Sequence, residues 1–450
     1  MNRPDRGSLF RVWHLAWPVI LSNLSTPLLG VVDTAVVGRL PGPEYIAGVA
    51  VGATAFTSTF WAFGFLRMGT TGFVAQAAGA GNADEIRAVL ARALLVALAI
   101  GLALLALQGP VWQAALHLLQ PGAAVAHHAG AYFEIRIWTA PATLGNYALL
   151  GWFIGMQRPR LALATQIWLN GVNIVLDLVF VGLLDLGVSG VAWATLAGEW
   201  SALALGLYLA LGMLRRQGGT WDRRRIFDGA SLRAMLTANL DIFIRTACLI
   251  VAFGWFVRTG ARFGELALAA NAILIQMVGL IAHGLDGFAF AAEALIGSAL
   301  GRRDLAGLRA AVISSTIWAV IVALGFAVTY WIAGPLIVAL MTNQPETQAA
   351  AGTYLGWVVL YPVVAVWCFQ LDGIFIGATQ TADMRNAAIA SLAVFAIAVL
   401  LLPDLAGNHG LWGALTLFNV ARTVSLGLLY RKIERRAVPA PDLSPSGPAA

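Results

Sequence analysis

Eight carboxylates interrupt the apolar stretches of this 450-residue chain: Asp33, Glu134, Asp177, Glu199, Asp241, Asp286, Glu293 and Asp372. Each costs roughly 2.5–3.5 kcal/mol at the centre of a bilayer helix, so each needs a wet cavity or a partner. Asn170, Asn173 and Asp177 are spaced i, i+3 and i+7 and share one face of a helix. Thr195 and Glu199 share a face of the next helix. With Asp33, these residues offer carboxylate, amide and hydroxyl oxygens that can hold a proton or a Na⁺ ion, since hard cations take oxygen ligands. A second group, Asp286, Glu293 and Asp372, lies in the C-terminal half; His283 is one turn before Asp286 and reads as a satisfied polar residue. Asp241 and Arg245, spaced i, i+4, predict a salt bridge within one helix.

The elements that must carry these residues follow from composition. Hydrophobic residues make up 59% of the chain and charged residues only 11%, against about 25% charged in soluble proteins. A bilayer crossing needs about 20 apolar residues. Twelve such spans are predicted, centred near residues 23, 57, 98, 141, 172, 201, 245, 279, 319, 363, 394 and 420. Of 28 basic residues, 21 fall on one set of loops and three on the other. That bias predicts both termini in the cytoplasm and accounts for the net charge of +6 without nucleic acid. Asp33 then lies about 7 Å, and Asp177 about 10 Å, from the outer helix ends at 1.5 Å per residue.

The chain also repeats itself. Gly151-Trp152-Phe153-Ile154-Gly155 recurs as Gly373-Ile374-Phe375-Ile376-Gly377, an offset of 222 that also relates Gly38 to Gly260, Gly79 to Gly301 and Arg87 to Arg309. A duplicated six-span unit is an architecture of transporters, in which two lobes rock about a central pathway. The two halves are not copies in their acids: Asp33 aligns with Trp255, and Asp372 with Leu150. Pro18 and Pro27 sit on the first span below Asp33 and predict a bend. The two GxxxG pairs read as close helix packing. There is no P-loop string, the two cysteines form no metal motif, and no nucleophile–base constellation appears, so neither enzyme nor cofactor is expected. The Gly187-Val188-Ser189-Gly190 string matches intramembrane serine proteases but reads here as a helix start with Ser189 as its cap.

Four longer strings carry a likeness: VVDTAVVGRL at 31–40, MGTTGFVAQAAGAGN at 68–82, HGLDGFAFAAEALIGSALGRRD at 283–304 and LDGIFIGATQTADMRN at 371–386. The chain resembles the multidrug and toxic compound extrusion (MATE) family, within it the DinF-like branch. The resemblance implies an all-α polytopic membrane protein, with twelve helices in two pseudo-symmetric six-helix lobes set in a V. Lobe boundaries are expected at 9–213 and 233–430, with a cytoplasmic linker at 214–232 and a disordered tail at 431–450. The implied activity is secondary active export of organic, often cationic, compounds against H⁺ or Na⁺, in a bacterial cytoplasmic membrane. A monomer bounded by lipid is expected.

By this likeness Asp33 matches the family's acid on span 1 and Pro18 its bending proline. Asn173, Asp177 and Thr195 match the polar cluster of spans 5 and 6, and Asp372 the acid of span 10. Leu29 stands where some members carry a tyrosine, and Asp241 is the nearest match to the span 7 acid of sodium-coupled relatives; this favours H⁺. Export of organic anions such as citrate, or flipping of a lipid-linked precursor, are the alternatives. An anionic lipid-linked precursor needs basic groups in the cavity, and acids within the spans outnumber bases eight to four; the same imbalance weighs less against citrate, for which Arg67 and Arg245 can line a path.

Overall fold

The computed structural model describes residues 6–437 apart from Arg39 and Pro41, and not the side chains of residues 26–29 and 31. Among these residues there are helices and turns and no strand, as hydrocarbon demands of a backbone that must satisfy its own hydrogen bonds. Twelve helical spans cross: span 1 (Arg6–Val37), span 2 (Pro43–Gly79), span 3 (Ala83–Ala106), span 4 (123–155), span 5 (Pro159–Phe180) and span 6 (Gly187–Arg216). Span 7 (Gly229–Gly260), span 8 (Glu265–Gly301), span 9 (Leu305–Met341), span 10 (Pro345–Gly377), span 11 (381–405) and span 12 (408–436) follow. Each predicted centre falls inside one of them. The start of span 1, the end of span 12 and the linker share one end of the bundle, the terminal face; the other end is the far face.

Local sequence explains the breaks. Span 2 interrupts its helix at Phe63 and Gly64. Span 4 passes through a tight turn, Ile137–Thr139, directly before Pro141, whose ring starts the next helix instead of continuing the last. Spans 11 and 12 part at Gly407, which holds φ +58°, a conformation open to glycine at little cost.

The expected duplication is written into the packing. A Cβ at Gly151 would lie 2.2 Å from the Arg67 carbonyl oxygen, and one at Gly373 would lie 2.5 Å from that of Ala289. Residues 67 and 289 stand 222 apart, as do the glycines. Spans 4 and 10 therefore seat their GxxxG stripes on spans 2 and 8 in the same way. Spans 2 and 8 in turn cross each other reciprocally: Gly79 abuts the backbone of Ser298, and Gly301 that of Gln76.

One apolar core fills spans 7 to 12 and also takes in Val12, Leu15 and Ala16 of span 1. Two further cores lie largely within spans 1 to 6. The lower part of span 1 thus rests on the second half: Trp318 Nε1 donates to the Leu9 carbonyl over 3.0 Å, and the Trp13 ring packs, tilted, against Trp318 at 4.9 Å.

Two expectations need correction. The chain stays helical to Arg436, past the boundary at 431 expected for a loose tail. Lys432 pairs with Asp383, and Glu434 with Arg309, which hold that end down. The cap of span 6 is Leu186 without a side-chain bond, so Ser189 caps nothing. The bend expected at Pro27 and the tail beyond Ala437 lie outside the described side chains and residues.

Candidate functional site

In the first half, the far ends of spans 1 and 5 bring two carboxyls together. Asp33 is half-buried and Asp177 fully buried. Their carboxyl groups face each other within hydrogen-bonding reach. Two carboxyls hold that position by sharing a proton or a cation, since like charges so close repel. Asn173, one turn before Asp177, donates from its amide nitrogen to Asp177 Oδ2 over 2.9 Å and accepts from Thr195 Oγ1 over 3.1 Å; this amide orientation satisfies both neighbours. Asp177 Oδ1 is buried without a partner among the described residues. Arg136 is the cation whose field reaches Asp33. It donates to Thr139 Oγ1 over 2.6 Å and lies above Phe56 at 5.4 Å.

The structure brings together part of the predicted cluster. Asp33, Asn173, Asp177 and Thr195 converge. Asn170 does not join them: its amide donates to the Ser25 carbonyl of span 1 over 3.3 Å. Glu199 is held elsewhere, accepting from Asn146 of span 4 over 2.8 Å. Asp177 also sits shallower than expected, three residues before the last helical residue, Phe180. The helix ends early because Gly182 and its neighbours turn there.

In the second half, a network of charges lies nearer the terminal face. Asp372 of span 10 accepts from both Arg245 of span 7 and Arg422 of span 12. Glu293 of span 8 takes Arg67 of span 2 in a two-point bond, 2.9 and 3.3 Å. That pair joins the two halves with side chains only 7% and 1% exposed, and Arg67 also lies over Phe290 at 3.6 Å. The salt bridge predicted within span 7 does not form. Asp241 instead bonds Arg385 at 2.6 Å and Thr381 Oγ1 at 2.9 Å on span 11, and Arg245 turns to Asp372. Helix periodicity brings residues i and i+4 near, but the packed neighbours carry better-placed partners for each. His283 bonds its own helix, at the Gly279 carbonyl, as a satisfied polar residue would.

Asp286 differs from the other second-half acids. It is half-buried and forms no hydrogen bond or ion pair among the described residues. It stands two turns above Glu293 on the same face of span 8, within the field of Arg67, Arg245 and His283. Sequence reasoning passed over the roles of Arg67, Arg136 and Arg422. They were visible as arginines inside apolar stretches, but not as partners of particular acids. Pro18 is buried on span 1.

Known proteins resemble the chain in sequence and in fold. The family model MatE matches residues 18–179 and 242–402, two stretches that follow the repeat. DNA damage-inducible protein F of Escherichia coli (strain K12) is 43% identical over 425 residues, covering 94% of this chain and 92% of its own length. A probable multidrug resistance protein NorM of Neisseria meningitidis serogroup A is 26% identical over 411 residues, covering 89% and 84%. Among solved structures, one described as MATE in the bent conformation superposes with a TM-score of 0.84 at 20% identity, covering 96% of this chain and 99% of its own.

Proposed function

The chain belongs to the multidrug and toxic compound extrusion family, and from that premise we propose that it exports organic cations in exchange for protons by alternating access. The observation that carries this reading is the facing pair Asp33 and Asp177, braced by Asn173. A proton added there removes one negative charge from a buried pair, which is the change a coupling site must register. The field of Arg136 reaches Asp33 and offsets part of the pair's negative charge, so one H⁺ suffices to neutralise the rest. In the second half, Arg67, Arg245 and Arg422 are each engaged by a carboxylate. Asp286 is left as the acid free to meet a substrate ammonium, which favours cations over citrate-like anions.

The two lobes are taken as 9–213 and 233–430, with the terminal face in the cytoplasm of a bacterium, where its arginines predict it. The close backbone approaches of spans 2 and 8 near the terminal face would then close the cytoplasmic side and leave the site open outward. Protonation from outside lets span 1 move against span 5, the bound cation leaves, and release of the proton inward resets the site. The membrane potential adds about 2.3 kcal/mol per charge moved through 100 mV.

The test is ethidium transport in proteoliposomes under an imposed pH gradient or an imposed Na⁺ gradient. Transport is expected with the pH gradient alone and is expected to be absent in Asp33→Asn, which keeps its fold. Transport driven only by Na⁺ would overturn proton coupling, and full activity of Asp33→Asn would remove the site from the first half.

A further inference from the structure

Away from both charged clusters, the second half holds a crevice of about 740 Å³. Spans 9 and 12 are its walls and span 10 is its floor. Ile317, Ile321 and Trp367 on its rim are 36%, 51% and 47% exposed, so at this depth it opens sideways into the bilayer. The ion pair of Arg309 and Glu434 ties the walls together at the terminal face and fixes their register. Counting inward from it, Ile313 falls opposite Tyr430, Thr316 opposite Gly427 and Val320 opposite Thr423, and all six line the crevice.

The floor carries one polar side chain, Gln370. It is 2% exposed, and among the described residues neither its amide oxygen nor its amide nitrogen has a hydrogen-bond partner. Buried polar groups are nearly always bonded, so this amide stands ready for a ligand. The fold itself does not require it: the equivalent residue of the first half, 222 positions earlier, is Ala148, fully buried. Contacts of span 10 with span 12, Cys368 to Asn419 and Asp372 to Arg422, put Gln370 level with about Val420, at least as deep as Thr423, the deepest residue that span 12 gives to the crevice.

Depth decides the occupant. Thr423 lies eight residues below Arg431, about 12 Å along the helix. A glycerolipid with its headgroup beside Arg431 carries only methylenes at that level and leaves both amide atoms unsatisfied. Cavities of about 300–1,000 Å³ with apolar walls and few convergent polar groups suit drug-sized molecules. No carboxylate lines this one, and its mouth is hydrocarbon. We infer that the crevice is a second small-molecule site, binding a neutral, largely apolar compound from the bilayer through one amide-type group held by Gln370. The inference goes beyond the export reading and does not depend on it.

The test is photolabelling with 4-benzoyl-N-phenylbenzamide, a neutral secondary amide with a photoreactive ketone. The full chain is held in nanodiscs of phosphatidylethanolamine and phosphatidylglycerol, and labelled peptides are mapped by mass spectrometry. Label is expected to concentrate on residues 312–321, 367–374 and 423–430. Gln370→Leu is expected to lower it at least ten-fold. Gly427→Trp, at a position where a Cβ meets nothing within 4 Å, fills the crevice and is expected to do the same. Both variants are expected to keep wild-type elution and wild-type ethidium transport. Label spread evenly over the lipid-facing residues of all spans, or unchanged in both variants, would overturn the site and leave a crevice filled by lipid chains alone.

Discussion

Glu293 and Arg67 illustrate how a charge inside a membrane protein is made tolerable. Neither has a partner on its own helix; each finds one across the junction of the two halves, with two parallel bonds and almost no solvent. Bidentate geometry favours arginine over lysine for this task, and the chain carries a single lysine, Lys432. Removing one member strands the other in low dielectric. Glu293→Gln is therefore expected to destabilise the protein by about 3–5 kcal/mol, read as a lowered midpoint in SDS titration from mixed micelles. Adding Arg67→Met is expected to recover much of the loss, because the uncompensated charge is then gone. If the double variant were no more stable than Glu293→Gln, the pair would not be the cause.

At the scale of the helices, small residues decide which elements meet. Spans 2 and 8 cross where Gly79 and Gly301 admit the opposing backbone; a Cβ at either would lie 2.1 Å from a carbonyl oxygen. Backbone cannot move aside as a flexible side chain can, so any larger residue must separate the helices. Gly301→Val is expected to hold the terminal face open. A cysteine placed at Gln76 should then react several-fold faster with a membrane-impermeant maleimide applied at that face. Equal rates in the two backgrounds would show that the crossing is not the closure. The native Cys248 and Cys368 are buried and give a low background.

Across the whole molecule, the halves are joined by the linker between spans 6 and 7, and that linker is fastened to the first half. Asp84 at the start of span 3 accepts from the Thr220 backbone N–H over 2.7 Å and from its hydroxyl over 3.3 Å. The Thr220 N–H beside it, helped by Arg225 and Arg87, holds the Asp84 carboxyl below the usual carboxylate range. A lowered value in the folded protein means the contact is present above the unfolded value, about 3.9. It is lost only as pH falls through the lower, folded one. Hydrogen-exchange protection of the Thr220 amide, corrected for intrinsic rate, is thus expected to be the same at pH 7 and pH 5 and to vanish in Asp84→Ala. Loss of protection already at pH 5 would mean another group controls the linker.

The sequence by itself determined the twelve spans, the duplication and the shared faces that carry Asn173 with Asp177 and Thr195 with Glu199. Those features rest on apolar length, on a fixed offset and on helix periodicity, all of which are local or one-dimensional. Tertiary structure alone decided which acid met which base. Asp241 chose Arg385 over Arg245, Glu199 chose Asn146 over Asp177, and Asn170 turned to span 1. The physical reason is that an intramembrane charge takes the best-placed partner on any packed helix. Periodicity gives the face a residue occupies, whereas helix packing fixes what lies opposite that face.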